Sequence, residues 1–385
     1  MKKKYLLLLF PLLIGCSKKE PQPLVFNHNA NGYFYNDEFI FPMNTLSSIQ
    51  YYDNNFKNDI ENNFDEIITY NSKLLDRYHH YDDMSNLYDL NNLKHLENIN
   101  DNLYNCIKLS YDLTILTEGK FNMFMGEIID LYAESIDNSD PTKMPNNNEI
   151  LNALSNIPSY TNIDEVISFE DETNSVTICK YNNNYPIISL GGIAKGFIGD
   201  LLLDYYKNKN YSYIINLGSS TISTSGTNPN KEGGKYSLGF RLPNLNASTI
   251  ELTNTISIGG NYNLSTSGDY ENCYLYDNNS KLMHHIINPY TGYSNNTYRS
   301  VSLISNTCSL AILDALSTSV FNCNNDDETI ELIDLFNTTY NTNIDYMCLK
   351  PLYENELINF DKYTLLISEG FNNLISGTYN NKIVL

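Results

Sequence analysis

The chain has no tryptophan, little positive charge and no closely paired cysteines. Against 45 Asp and Glu it carries only 24 Lys and Arg, a formal net charge of −21. That balance argues against a nucleic-acid-binding protein, because neutralisation of backbone phosphates supplies most of such affinity. An acidic surface favours solubility, and a bound polyanion would need a local positive site or a divalent cation. The 7 cysteines form no Cys-x-x-Cys pair, which leaves a thiol-based metal or redox motif without support. The sequence shows neither an internal repeat nor a long linker. Its N-terminal apolar run, residues 5–13, contains Pro11 and falls well short of the roughly 20 residues that a membrane-spanning helix needs.

What the N-terminus does hold is a targeting pattern. Lys2, Lys3 and Lys4 precede the apolar run, and Leu13-Ile14-Gly15-Cys16 follows it in the form of a bacterial lipoprotein cleavage site. Cleavage there would make Cys16 the acylated N-terminus. The chain is therefore expected to comprise a signal peptide over 1–16, a tether over 17–31 and a single folded domain over 32–385. The expected location is the bacterial cell envelope, lipid-anchored to a membrane and facing outside the cytoplasm. Of the remaining cysteines (Cys106, Cys179, Cys273, Cys308, Cys323 and Cys348), most sit among apolar residues and read as buried thiols. An exported chain could oxidise some of them.

Hydrophobic periodicity sets the coarse organisation. Residues 32–40 and 46–51 read as extended. Phe56, Ile60, Phe64, Ile67, Ile68 and Leu75 share one helical face, with Asp53 in capping position. A polar loop over 79–85 precedes a helix through Leu103, Cys106, Ile107 and Leu113, then helices near 127–135 and 148–156. From about residue 164 strands take over. Residues 166–169 and 176–179 flank a polar turn as a hairpin, and further strands follow at 211–217, up to about 287, and at 301–304. Helices over 309–321 and 328–336, then strands near Tyr346 and Leu365, complete the chain. Early helices and later strands favour an α+β fold over a doubly wound parallel sheet.

The first chemical signal is Ser189-Leu190-Gly191-Gly192-Ile193-Ala194-Lys195-Gly196. It follows Pro186-Ile187-Ile188 and opens a helix with Phe197, Ile198, Leu201, Leu202 and Tyr205 at helical spacing. A strand, two glycines and a helix N-terminus let backbone N–H groups face an anion with no side chain between. Lys195 adds a positive charge in the first turn. Read alone, the segment is either a phosphate cradle or a tight turn. Asp314 and Thr318 lie one turn apart on one face of a later, apolar helix. A carboxylate and a hydroxyl so placed suit a hard cation such as Mg2+, whereas a solvent-facing Asp314 would have no such role. His285 precedes the turn Asn288-Pro289-Tyr290-Thr291-Gly292, where a histidine can be an acid, a base or a structural residue. Ser265-Thr266-Ser267-Gly268-Asp269-Tyr270 reads first as a hairpin turn and second as a phosphate contact.

Taken in order, these segments resemble the ApbE-type FAD:protein FMN transferases. That family's Asp-Leu-Gly-Gly-Ile-Ala-Lys-Gly is matched from Ser189 to Gly196, and its Asn-Leu-Gly-Gly by Asn216-Leu217-Gly218-Ser219. Its Thr-Ser-Gly-Asp-Tyr is matched from Thr266 to Tyr270, its His-Ile-Ile-Asp-Pro-x-Thr-Gly from His285 to Gly292, and its Asp-Ala-x-x-Thr from Asp314 to Thr318. Thr117-Glu118-Gly119-Lys120-Phe121-Asn122 resembles its Thr-Asp-Gly-Ala-Phe-Asp, and Tyr81-Asp82 with Ser85 and Asn91 its Tyr-Asp and Ser-x-x-x-x-x-Asn region. The resemblance implies an ApbE-like, T-fold-like α+β domain with mixed and antiparallel sheets flanked by helices. It implies FAD contacts at Met43, Tyr81, Lys120, Phe121, Asn122, Ser189, Lys195 and Ile286. It also implies Mg2+ ligation by Gly192, Asp314 and Thr318, and His285 as the catalytic base beside the reacting phosphate. The implied reaction transfers the FMN moiety of FAD to a Thr or Ser hydroxyl of an exported or membrane-bound electron-transfer subunit, releasing AMP. Two alternatives are a Mg2+-dependent FAD pyrophosphatase and a non-catalytic flavin-binding lipoprotein. The chain departs from the pattern at Ser189, Asn122 and Asn288, each neutral where the family has a carboxylate, and at Ser219, where it has glycine.

Overall fold

Apolar residues alternate along the later strands, and a computed structural model shows what that alternation builds. It describes residues 26–28, 34–36, 39–40, 46–52, 57–245, 251–277, 281–351 and 363–376. In chain order its strands are β1 (Phe26–His28), β2 (Phe34–Asn36), β3 (Phe39–Ile40), β4 (Leu46–Tyr51), β5 (His95–Leu96), β6 (Ile167–Glu170), β7 (Ser175–Ile178), β8 (Tyr213–Leu217) and β9 (Thr221–Ser225). There follow β10 (Tyr236–Arg241), β11 (Leu252–Ile258), β12 (Tyr262–Gly268), β13 (Cys273–Tyr276), β14 (Lys281–His284), β15 (Ser300–Ser305), β16 (Asp345–Pro351), β17 (Tyr363–Ile367) and β18 (Ile375–Ser376). The helices are α1 (Lys57–Leu74), α2 (Leu87–Leu93), α3 (Asp101–Leu116), α4 (Gly126–Asp137), α5 (Asn147–Ser155), α6 (Ala194–Tyr206), α7 (Leu310–Phe321), α8 (Asp326–Tyr340) and α9 (Glu369–Leu374).

Among the described residues, one ten-stranded antiparallel sheet runs β1-β2-β4-β8-β9-β12-β15-β16-β17, with β3 paired to β4. Three small sheets, β5-β7-β6, β10-β11-β18 and β13-β14, surround it. The two-residue pleat sends side chains to opposite faces. Val301, Leu303 and Cys348 join the main core beneath α1, α3, α6 and α7. Ile304, Met347 and Leu349 point the other way, into a second core closed by β10, β11 and α9. Both faces are therefore covered, and every residue of β15 is buried. A third cluster joins α4 and α5 to the β13–β14 hairpin through Tyr132, Tyr274 and Met283.

Helix α7 is the central packing element. All of its residues are buried except Thr318, as its nearly uniform apolar sequence requires. Ser309 caps it, accepting from the Ile312 N–H at 3.3 Å. Asp200 on α6 accepts from the Leu310 and Ala311 N–H groups at 2.8 and 2.9 Å, so two orphan donors of one helix are satisfied by the other. A Cβ on Gly196 would stand 2.3 Å from the Leu310 carbonyl oxygen, so glycine sets how closely α6 and α7 cross.

The fold is α+β, as expected, and the 166–179 hairpin and the 309–321 helix form. One expectation is overturned. Residues 265–268, read as a hairpin turn, lie inside β12, paired along their length with β15 and, at Ser265, with β9 as well. Their Ser and Thr composition looks like a turn, but the pleat instead turns Ser265 and Ser267 toward α7, where both meet Ser317. Cys106, Cys308, Cys323 and Cys348 are buried, Cys273 is half-buried and Cys179 is exposed; all six thiols are free. Among the described residues no helix is long and apolar enough to cross a membrane. Cys16, Met43, Asp53 and Phe56 lie outside the described residues.

Candidate functional site

The Gly-rich segment is held from two sides before α6 begins. Asn91 on α2 donates through Nδ2 to the Ile188 carbonyl and accepts from the Ile188 N–H through Oδ1, both at 2.9 Å. The Ser189 N–H donates to the Met123 carbonyl at 2.8 Å. Past these anchors Gly191 is exposed. A Cβ on Gly192 would lie 3.2 Å from the Phe121 ring and 3.4 Å from Thr318 Oγ1, so the Gly-rich loop, Phe121 and α7 meet at this residue.

The α6–α7 crossing joins the loop to Asp314. This carboxylate is 4% exposed, which excludes the solvent-facing reading, and each of its oxygens is engaged. Oδ2 accepts from the Gly196 N–H at 3.0 Å and lies 3.6 Å from the Lys195 ammonium. Oδ1 accepts from Ser265 Oγ at 3.1 Å and Thr221 Oγ1 at 3.4 Å. Thr318, one turn on, is the residue of α7 that is not buried. Among the described residues no group of three or more His, Cys, Asp or Glu could hold a metal. One carboxylate with a neutral hydroxyl and a glycine carbonyl is the donor set of a hard cation that keeps waters and substrate oxygens. An ammonium already sits against the carboxylate, and Gly192 puts no side chain of its own between the loop and Thr318. The residues fit Mg2+.

The two adjacent histidines separate cleanly. His284 is fully buried: its Nε2–H donates to the Asn295 carbonyl at 3.0 Å and its Nδ1 accepts from the Ile286 N–H at 3.2 Å. Burial lowers its pKa to about 3, so it stays neutral. His285 is exposed at the residue level. Its Nδ1 lies 3.1 Å from the Glu271 carbonyl, which can only accept, so Nδ1 carries the proton and Nε2 keeps its lone pair. Desolvation by the protein around the ring, with repulsion from Lys195, holds its pKa below the usual imidazole value.

The other residues assigned to FAD contact fall into separate networks. Tyr81 donates to Asp76 Oδ2 at 2.9 Å, with the Lys73 ammonium 5.3 Å from its ring centroid. Its loop is braced by Asn86, whose amide donates to the carbonyls of Lys73, Asp76 and His79. The Lys120 ammonium pairs with Glu328 of α8 at 3.0 Å, and the Lys120 carbonyl accepts from Asn322 at 3.0 Å. Phe121 is buried beside Gly192. The Ile286 side chain joins the main core. Sequence reasoning missed Asn91 as a clamp, Asp200 as the α7 cap and the Thr221–Ser265 hydroxyl pair. Asn91 and Ser265 lay in stretches the sequence singled out, but their roles, like those of Asp200 and Thr221, depend on which elements pack together.

A family model described as the ApbE family matches residues 43–339. A curated FAD:protein FMN transferase of Vibrio cholerae serotype O1 is 27% identical over 216 residues, covering 56% of this chain and 58% of that protein. Another, from Klebsiella pneumoniae (strain 342), is 32% identical over 120 residues, covering 31% of this chain and 34% of that protein. The match thus spans 58% and 34% of the length of these curated relatives. Among solved structures, the ApbE protein of Thermotoga maritima superposes with a TM-score of 0.67 at 21% identity, covering 90% of this chain and 100% of that one. Flavin transferase ApbE from Vibrio cholerae superposes with a TM-score of 0.64 at 18% identity, covering 92% and 100%. Both share the fold.

Proposed function

The chain belongs to the ApbE family, and from that premise we propose that it is an FAD:protein FMN transferase. Its acceptor is a Thr or Ser hydroxyl of an exported or membrane-bound protein, an electron-transfer subunit. The acceptor oxygen bonds to the FMN-side phosphorus of FAD, the bond from that phosphorus to the bridging oxygen breaks, and AMP leaves with that oxygen. The observation that carries this reading is the 3.0 Å bond from the Gly196 N–H to Asp314, which makes the Gly-rich loop and the carboxylate helix one site.

Within that site the Lys195 ammonium and the N–H groups of Gly191 and Gly192 would face the pyrophosphate oxygens, while the Ile193 and Ala194 N–H groups close the turn on the Leu190 carbonyl at 3.1 and 2.9 Å. Asp314, Thr318 and the Gly192 carbonyl would hold Mg2+, which when bound offsets pyrophosphate charge and eases the departure of AMP. His285 takes the acceptor proton on Nε2; its Nδ1–H···O=C bond to Glu271 keeps that nitrogen unprotonated. Tyr81, Lys120, Phe121, Asn122, Ser189, Ile286 and Met43 make up the remaining FAD contacts. An acyl anchor on Cys16 would keep the enzyme on the membrane face that carries its acceptor.

The test is incubation of the chain lacking residues 1–16 with FAD, Mg2+ and a candidate acceptor. Flavin fluorescence on the acceptor band of a denaturing gel, with matching AMP, is expected. Asp314→Ala should lower the rate by about 100-fold or more, the scale of losing a main electrostatic stabiliser. AMP released without acceptor would make the chain an FAD pyrophosphatase instead. A complete lack of AMP under both conditions would leave neither enzymatic reading standing.

A further inference from the structure

We propose that Lys195 is the resident cation of the ligand-free Asp314 site, and that metal and dinucleotide binding are coupled through its displacement. The inference rests on the reading of Asp314 as a metal ligand. Four donors surround this carboxylate, and three of them are fixed. The Gly196 N–H belongs to α6, which cannot slide because the Leu310 backbone occupies the space beside Gly196. Thr221 and Ser265 are fully buried on β9 and β12, in the middle of the main sheet. Lys195 differs on each point. Its ammonium stands 3.6 Å from Oδ2, beyond a good hydrogen bond, on a four-carbon stem with 18% of the side chain exposed.

A carboxylate as buried as Asp314 needs a compensating charge, and Lys195 supplies it. A divalent cation on the same carboxylate would be held against that ammonium by nothing but two shared oxygens, and like charges a few ångströms apart repel strongly in a buried site. The ammonium must therefore leave for the metal to bind. Lys195 lies in the first turn of α6, next to the Gly-rich loop, so an anion seated on that loop offers its ammonium a second partner. A pyrophosphate there draws Lys195 off Asp314 and opens the site; a metal alone has to evict it unaided. By linkage, whatever the dinucleotide adds to metal affinity, the metal adds to dinucleotide affinity.

Mn2+ binding to the nucleotide-free chain lacking residues 1–16, followed by electron paramagnetic resonance of the free ion, tests this without turnover. Lys195→Met should bind Mn2+ on the order of 10-fold tighter than the native chain, within the usual range of coupling factors, while Lys195→Arg should stay close to native. If Lys195→Met lowers stability, a second readout remains: its thermal midpoint should rise more on adding Mn2+ than that of the native chain, because ligand stabilisation follows affinity. Unchanged or weaker Mn2+ binding by Lys195→Met, with binding abolished in Asp314→Ala, would overturn the coupling and leave the metal site intact. Unchanged binding in Asp314→Ala would instead overturn the assignment of the metal site itself.

Discussion

Asn122 and Asn288 both carry amides where the family pattern has carboxylates, for different reasons. Asn122 donates through Nδ2 to the Pro158 carbonyl and accepts from the Phe124 N–H through Oδ1, each at 2.9 Å. A carboxylate could make only the second bond. Asn288 Oδ1 accepts from the Tyr290 and Thr291 N–H groups, a turn that a carboxylate would close equally well. Ser219, which stands for a glycine, follows Gly218 in the tight β8–β9 connection, and both have positive φ, 57° and 68°. The Asn216 side chain holds the Ser219 N–H at 2.8 Å, yet a left-handed serine still costs roughly 1–2 kcal/mol. After subtracting glycine's extra unfolded-state entropy, Ser219→Gly should raise stability by about 0.5–1 kcal/mol in urea unfolding, with an unchanged denaturant slope. At this scale the sequence was informative about identity and spacing, as at Asp314 and Thr318. It was silent on partners: nothing near His284 and His285 in the chain distinguishes a buried structural ring from one with a free Nε2.

At the scale of elements, the α6–α7 crossing is the feature on which the site depends. The two glycines around it have opposite requirements. A Cβ on Gly196 would meet the Leu310 and Ala311 backbone at 2.3–2.7 Å, whereas one on Gly191 would find nothing nearer than Ser189 Oγ at 3.9 Å. Gly196→Ala should therefore force the helices apart, destabilise the chain by roughly 1–3 kcal/mol, and weaken Mn2+ binding as the N–H leaves Asp314. Gly191→Ala should leave the unfolding midpoint nearly unchanged. Urea unfolding and Mn2+ titration of the pair would decide this, and equal losses in both variants would contradict it. Helix α7 was readable from the chain because so long an apolar stretch with a serine at its start has few other fates. Strand β12 was misread because Ser, Thr and Gly are turn formers by composition. Pairing with β9 and β15 overrode that preference.

At the scale of the whole molecule, burial of neutral His284 couples folding to protons. Its folded pKa of about 3 lies below the ordinary 6.5. Between those values the unfolded chain binds more protons, so the His284 contribution to stability is complete above about pH 6.5 and declines as pH falls. Between pH 7 and 5.5 the native chain should lose about 1 kcal/mol more than His284→Gln, measured by urea unfolding at both values. An equal loss in both would show that His284 is not the group responsible. The main sheet is assembled from distant parts of the chain: β4 pairs with β8 across α1–α6, and β17 closes the far edge of the same sheet. The Gly-rich entry into α6, the buried helix over 309–321 and the one-turn spacing of Asp314 and Thr318 were legible in the chain alone. Each follows from helical periodicity and backbone geometry within a few residues. That the Gly196 N–H meets a carboxylate 118 residues away, and that Lys195 lies against the same group, came from the packing of distant elements. Those contacts arise from how closely two helices cross over a paired sheet, and local periodicity carries no record of that distance.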